Sequence, residues 1–290
     1  VGAAAIGAPK ARSPSRAKPE RIRMAGFLTG PQRLWAYLSY HRHIIWALLM
    51  REISTRYGRD NLGYLWLLIE PALFGTGVSI LYSMIRPPIE YGLTVIEFTL
   101  TGYMPMVMFR QAVGFSAAAT RNNSSLLYHR QITPLHLFLS RFLTEFCGVS
   151  LSYIVLIFAG HFIGVMPYPK DVLLLSVGWG LISLQAFGAA MFMNAISEMV
   201  ESVERIIPIL TYLFLPLSGF LFMVYGMPPR IAKIILFLPF VHCFELMRRG
   251  YFGEFLPTTY DIGYAFWWGV GMVLFGLSLQ QYIRPRVEVV

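Results

Sequence analysis

Six histidines, His41, His43, His129, His136, His161 and His242, are scattered through the sequence. None stands at helical metal-ligand spacing from another histidine or a carboxylate on a clear membrane face, so no metal centre is expected and no residue is given a catalytic role. There is no GxxxxGK[ST] phosphate loop, no HExxH and no GxSxG. The chain alone is therefore expected not to hydrolyse ATP through a Walker-type site. Cys147 and Cys243 sit in apolar surroundings and read as small core residues. What remains is charge inside apolar runs, which normally faces a pore or a partner. Arg110 stands near Tyr103, Phe109 and Phe115, and a guanidinium among aromatics suits the carboxylates and sugar faces of an acidic polymer. The competing reading pairs Arg110 with Glu70 or Glu97, or lets it snorkel to an interface. Glu70, before Pro71, could instead meet Arg51 or Arg56. Glu245 and His242, three residues apart, are the only pair that would suit a membrane-embedded glycosyl or acyl transferase.

The elements that hold these residues must be membrane elements. The chain has 290 residues, 56% hydrophobic and 13% charged, with a mean hydropathy of +0.56. Soluble chains carry about 25% charged residues, and a soluble domain with half of that could not cover its surface. Disorder needs the opposite balance. The composition predicts an all-α membrane protein. The net charge of +9 comes largely from an N-terminal cluster, Lys10 to Arg59, which the positive-inside rule places in the cytoplasm beside anionic lipid. No recognition motif accompanies it, so nucleic acid is not an expected partner. No signal peptide is recognised, and Val1 to Pro9 reads as a processed end or an added one.

Along the chain, residues 1–30 read as a mobile basic tail and 31–290 as one transmembrane domain. Pro31 to Thr55 predicts a basic amphipathic helix lying in the interface. Six spans are expected: Leu62 to Ile85, Phe98 to Thr120, Phe146 to Pro169, Val172 to Ser197, Ile206 to Pro229 and Ile262 to Ile283. The third is expected to start earlier, near Pro134, with Arg141 and Glu145 paired at i,i+4. Both termini are then cytoplasmic. Ile234 to Phe244 is too short to cross and predicts an outer re-entrant segment between spans five and six, reversing at Pro239. Glu245 and Arg249 could latch at i,i+4, leaving His242 and Arg248 for an anionic polymer; the bland alternative anchors these charges in headgroups. Glu198, Glu201 and Glu204 fall at i,i+3 and would share one helical face beside Arg205. No internal repeat is found.

One stretch is specific: Met50 through Trp66, reading MREISTRYGRDNLGYLW, followed by Glu70-Pro71. This RE…RYG…LGxLW…EP arrangement resembles the membrane subunit of ABC-2 type exporters, in particular polysaccharide-export permeases. Gly219-Phe220-Leu221-Phe222, Met227-Pro228-Pro229, Pro239, His242, Glu245, Arg248, Arg249 and Gly250 resemble the outer region of capsular polysaccharide exporters. The resemblance runs from about Pro31 to Arg286. It implies a homodimeric permease in the bacterial inner membrane, working with two copies of an ATPase subunit that carries the ATP and Mg, with no cofactor on this chain. It further implies a lipid-linked capsular polysaccharide as cargo, a periplasmic adaptor and an outer-membrane channel; an O-antigen or teichoic-acid-like polymer is the alternative cargo. On this reading Tyr64, Trp66, Glu70, Tyr103, Phe109, Arg110, Phe115 and Tyr212 line the polymer path. Arg51, Glu52, Arg56, Arg121, Asn122, Asn123, Ser124 and Ser125 couple to the ATPase, and Pro239, His242, Glu245, Arg248 and Arg249 form an outer gate. The alternative for the Thr120 to Thr133 segment is an ordinary solvated loop.

Overall fold

A computed structural model of the chain describes residues 30–57, 63–87, 89–128, 131–200 and 202–287, without the side chains of 30–33, 56, 57, 63, 64, 90, 128 and 284–287. The expected mobile tail and the expected roles of Tyr64, Arg56 and Glu201 lie outside the described residues. The chain divides into two compact units, Val1–His43 and Ile44–Val290. In the first, helix α1 (Gly30–Tyr57) exposes Leu34, Trp35, Tyr37 and Leu38.

The second unit begins with the remainder of α1, where Leu48 and Ile53 are buried. It continues with α2 (Gly63–Ile85), strands β1 (Ile89–Glu90) and β2 (Leu93–Thr94), α3 (Val95–Ala117) and α4 (Ala119–Asn122). Then come α5 (Pro134–Phe162), α6 (Val172–Met199), α7 (Val203–Phe214), α8 (Pro229–Ile235), α9 (Pro239–Phe252) and α10 (Ile262–Val287). Among the described residues four helices are long and apolar enough to cross a membrane: Leu65–Ile85, Pro134–Phe162, Val172–Met199 and Ile262–Ile283. In lipid a helix satisfies its own backbone, which is why apolar runs of this length take that form. The chain is an all-α membrane protein, with one hairpin of two-residue strands among the described residues that the sequence pattern does not signal. Its turn, Tyr91-Gly92, has φ of 56° and 80°, the left-handed pair a tight antiparallel turn requires.

Local signals place the helix starts. Thr94 and Glu97 form a reciprocal capping box at α3, with Thr94 N–H donating to Glu97 Oε2 at 2.7 Å, so Glu97 is spent on the helix end. Pro134 opens α5 where the sequence put it, Asp171 accepts the Leu174 N–H at 2.9 Å to cap α6, and Pro239 opens α9. Two expectations fail locally. The run Ile206 to Pro229 is not one helix: α7 ends at Phe214, a 3-10 turn follows over Leu215–Leu217, and Gly219 takes φ +95°. Pro216 has no N–H to continue the ladder. The carboxylates Glu198 and Glu204 do not share a helical face, because α6 ends at Met199 and α7 restarts at Val203.

Close contacts fix the helix directions. Gly75 of α2 lies against Leu100 and Met104 of α3 and Leu156 of α5, while Leu67 meets Gly148. The Tyr153 and Trp179 rings stack at 5.1 Å, and Phe142 meets Phe187 at 4.9 Å. Gly188 packs on Met272 and Gly276 on Met191. Glu204 reaches Arg121, Tyr212 reaches Arg110, and Phe214 reaches Phe109. Thus α2, α5 and α7 run one way and α3, α6 and α10 the other. The core lies around α3, whose Met104, Met106, Met108 and Ala112 are all at 1% exposure or less.

The hairpin of α8 and α9 enters this bundle. Gly250 of α9 touches Leu175 and Asp171 near the start of α6, whereas Pro239 O accepts from Gln185 Nε2 at 3.4 Å. Gln185 is about 20 Å along α6 from Val172, so the turn before Pro239 reaches about that far from the end where α9 finishes. Thirteen of the fourteen α9 residues are buried, which leaves no lipid-facing side. A Cβ at Gly250 would fall 2.9 Å from Leu175 Cα and 3.0 Å from Asp171 O. Gly250→Ala is therefore expected to cost about 1–3 kcal/mol of overpacking, read as a lower melting temperature in detergent. Gly271→Ala, with nothing within 4 Å of the new methyl, should leave it unchanged.

Candidate functional site

Three clusters arise, one at each end of the bundle and one between. At the end carrying α4, Arg51 of α1 donates to Asn123 Oδ1 at 3.1 Å, and Asn123 Nδ2 donates to Ala119 O at 3.0 Å. Glu52 of α1 pairs with Arg141 of α5, a partner from another helix in addition to Glu145, whose charge also acts on Arg141. Arg141 also lies over the Phe115 ring at 5.2 Å. Phe115 thus belongs to this end and not beside Arg110. Arg121 bridges to Glu204 at 3.4 Å and donates to Ser197 O, tying α4 to the α6–α7 corner. Asn122, Ser124 and Ser125 are exposed.

Beneath this end lies Asn194, a residue the sequence reading passed over. Its Nδ2 donates to Ser116 O at 3.1 Å and Ala117 O at 2.9 Å, while its Oδ1 accepts from Thr120 and Gln280. One buried amide therefore caps the last carbonyls of α3 and joins α3, α4, α6 and α10. Gln185 likewise donates to Pro239 O and Ala265 O. Both sit in a run with no formal charge; a polar amide at membrane depth was the available signal.

In the middle, Arg110 Nη1 donates to Tyr212 Oη at 2.8 Å, with the guanidinium 4.9 Å from that ring. Phe109, Phe214 and Phe240 form a triad with centroids 4.6–5.4 Å apart, where the α8–α9 tip meets α3 and α7. Tyr103 packs on Phe220 at 5.7 Å. Trp66 and Glu70 lie apart from these, in an open groove of about 360 Å³ with Leu73, Phe74, Gly77, Val78 and Leu81. The chain does not bring Glu70 or Glu97 to Arg110.

At the α9 end, Arg248 is 1% exposed and donates to Gly219 O at 3.0 Å, Phe222 O at 2.6 Å and Phe220 O at 2.7 Å, under the Phe98 ring at 4.3 Å. It holds the irregular backbone after α7. Glu245 accepts from Val224 N and Thr259 N, both at 3.1 Å. The expected latch does not form: Arg249 pairs with Glu254 at 3.0 Å, because both oxygens of Glu245 face inward. His242 Nδ1 accepts the Asp261 N–H at 2.9 Å, so Nε2 carries the proton to Leu236 O at 2.8 Å. His242 and Arg248 are thus turned inward onto backbone rather than outward. With every polar atom of Glu245 and His242 engaged by backbone, the pair is not arranged for acid–base chemistry. Arg249 instead lines an open cavity of about 440 Å³ with Tyr225, Pro257, Thr258, Thr259 and Tyr260. Among the described residues no group of three His, Cys, Asp or Glu could hold a metal ion.

The family model described as ABC-2 type transporter matches residues 43–252. The chain belongs to the ABC-2 type transporter family. It is 34% identical over 254 residues to the capsule polysaccharide export inner-membrane protein CtrC of Neisseria meningitidis serogroup B, covering 88% of this chain and 96% of that protein. To the capsule polysaccharide export inner-membrane protein BexB of Haemophilus influenzae it is 34% identical, covering 87% and 95%. The polysialic acid transport protein KpsM of Escherichia coli is 25% identical over 242 residues, with coverage of 83% and 93%. The matched family region runs from the second half of α1 to the end of α9 and takes in Arg51, Arg110, Asn194 and Arg248.

Proposed function

We propose that this ABC-2 chain is the permease subunit of an ATP-driven exporter that moves a lipid-linked capsular polysaccharide across the bacterial inner membrane. The observation that carries this reading is the near end-to-end match at 34% identity to two capsule export inner-membrane proteins. Six crossings, by α2, α3, α5, α6, α7 with its following turn, and α10, fit the alternating helix directions and put both termini in the cytoplasm. The α8–α9 hairpin then enters from the outer face, consistent with a tip beside Phe240 and with protein shielding its backbone. The α1 segment lies in the cytoplasmic interface.

The working unit is a homodimer with two ATPase subunits that carry ATP and Mg, joined outside by a periplasmic adaptor and an outer-membrane channel. The path runs along the dimer axis past Trp66, Glu70, Arg110 and Tyr212, with Tyr64 and Phe115 at its inner mouth and Tyr103 and Phe109 packed behind it. The α4 end is the coupler: exposed Asn122, Ser124 and Ser125 meet the ATPase, and Arg51, Glu52, Arg121 and Asn123 pass the displacement to α1, α5 and the α6–α7 corner. At the outer gate, Pro239 sets the tip, His242, Glu245 and Arg248 stiffen it, and Arg249 meets the polymer.

The test is biochemical. The purified chain should bind its ATPase partner and show no ATPase activity alone. Hydrolysis by the isolated chain, or failure to form a complex, would contradict the reading.

A further inference from the structure

Glu70 is the charged residue of α2, and Arg110 lies within α3, whose other charge, Glu97, is spent on the helix start. Glu70 is half-buried in the groove on α2 and has no hydrogen bond or ion pair among the described residues. Among the described residues Arg110 meets the neutral Tyr212 hydroxyl and ring and no carboxylate. Their depths agree. Gly63 opens α2 seven residues before Glu70, and Ala117 closes α3 seven residues after Arg110. Because α2 and α3 are antiparallel, each charge lies about 10 Å from the same end of the bundle. A lone carboxylate or guanidinium at that depth is costly, and such groups normally find a partner. Within one chain they do not meet. Among the described residues the groove around Glu70 is lined by Trp66, Leu73, Phe74, Gly77, Val78 and Leu81, so its carboxylate is the one charged group of that lining.

We propose that Glu70 of one copy pairs with Arg110 of a second copy, twice around a two-fold axis, so that the two pairs join the α2 groove of each chain to the α3–α7 face of the other and flank the path on the axis between them. A two-fold operator makes this automatic: if Glu70 meets Arg110 across the axis, the reciprocal pair forms at the same depth. Tyr212, hydrogen-bonded to Arg110, holds the guanidinium for its carboxylate. This deepens the homodimer reading above and rests on it.

The experiment uses two differently tagged full-length copies co-expressed with the ATPase in a background carrying Cys147→Ala and Cys243→Ala. One copy carries Glu70→Cys and the other Arg110→Cys, and a bifunctional thiol reagent of about 10 Å span is applied, since an ion-paired geometry is too long for a direct disulfide. A mixed-tag cross-linked dimer supports the pair. Co-purification of the two tags without cross-linking overturns the pair and leaves the homodimer standing; no co-purification of the two tags overturns both. Charge variants give a second readout. Glu70→Arg should lower mixed-tag recovery at least about fivefold, and adding Arg110→Glu should restore it. Unchanged recovery in the single variant, or no restoration in the double, overturns the pair.

Discussion

Arg248→Met should yield almost no folded protein from detergent-solubilised membranes, whereas Arg249→Gln should yield normal amounts. Arg248 supplies the donors to the carbonyls of Gly219, Phe220 and Phe222, on backbone that cannot satisfy itself as a helix. Methionine fills much of the volume but offers no donor. Each carbonyl left buried and unpaired costs about 1–3 kcal/mol, and three together consume much of the roughly 5–15 kcal/mol that separates a domain from its unfolded chain. Arg249 is held by an exposed partner, Glu254 at 94% side-chain exposure, and such pairs contribute about 0–1 kcal/mol. Fluorescence-detected size exclusion measures both variants. A monodisperse Arg248→Met peak at the level of the unsubstituted chain would show that the guanidinium is not what holds this region.

Replacing Asn122-Asn123-Ser124-Ser125 by Gly-Ser-Gly-Ser should separate hydrolysis from transport. The replacement removes the Arg51 bond to Asn123 and the Asn123 bond to Ala119 O. It leaves Arg121 with Glu204 and Asn194 with α3. The bundle should therefore insert and fold, while its contact surface for the ATPase loses both shape and rigidity. Surface polymer should fall at least about tenfold, with ATPase activity in the purified complex within about twofold of normal. Normal export would make this segment an ordinary solvated loop.

How far the sequence could be read depended on whether a feature is local. The starts of α5 at Pro134 and α9 at Pro239 follow from proline at the first helical position. The apolar lengths of α2, α6 and α10 follow from composition. The break in the fifth apolar run was less legible, because Pro216 and Gly219 stand in a sequence as apolar as any span, and what stabilises the break is Arg248, distant in sequence. Pairings were least legible of all. Helical spacing proposed Arg249 for Glu245, yet Arg249 pairs with Glu254, and it gave no sign of Glu52 beside Arg141, since i,i+4 proximity is worth only about 0.2–0.5 kcal/mol and says nothing of contacts between helices. Arg110 with Tyr212 was legible as two residues of one path, but not as a bonded pair.

If this chain carries polymer outward across the inner membrane, its loss should block export and leave synthesis untouched. The direct measurement is the distribution of polymer after in-frame deletion of this chain's gene in its own bacterium, with cytoplasmic and surface polysaccharide quantified separately and the gene restored in trans. The account predicts surface polymer near zero, polymer retained inside the cell, and recovery of the surface layer on complementation. Undiminished surface polymer, or absence of polymer from both compartments, would contradict it.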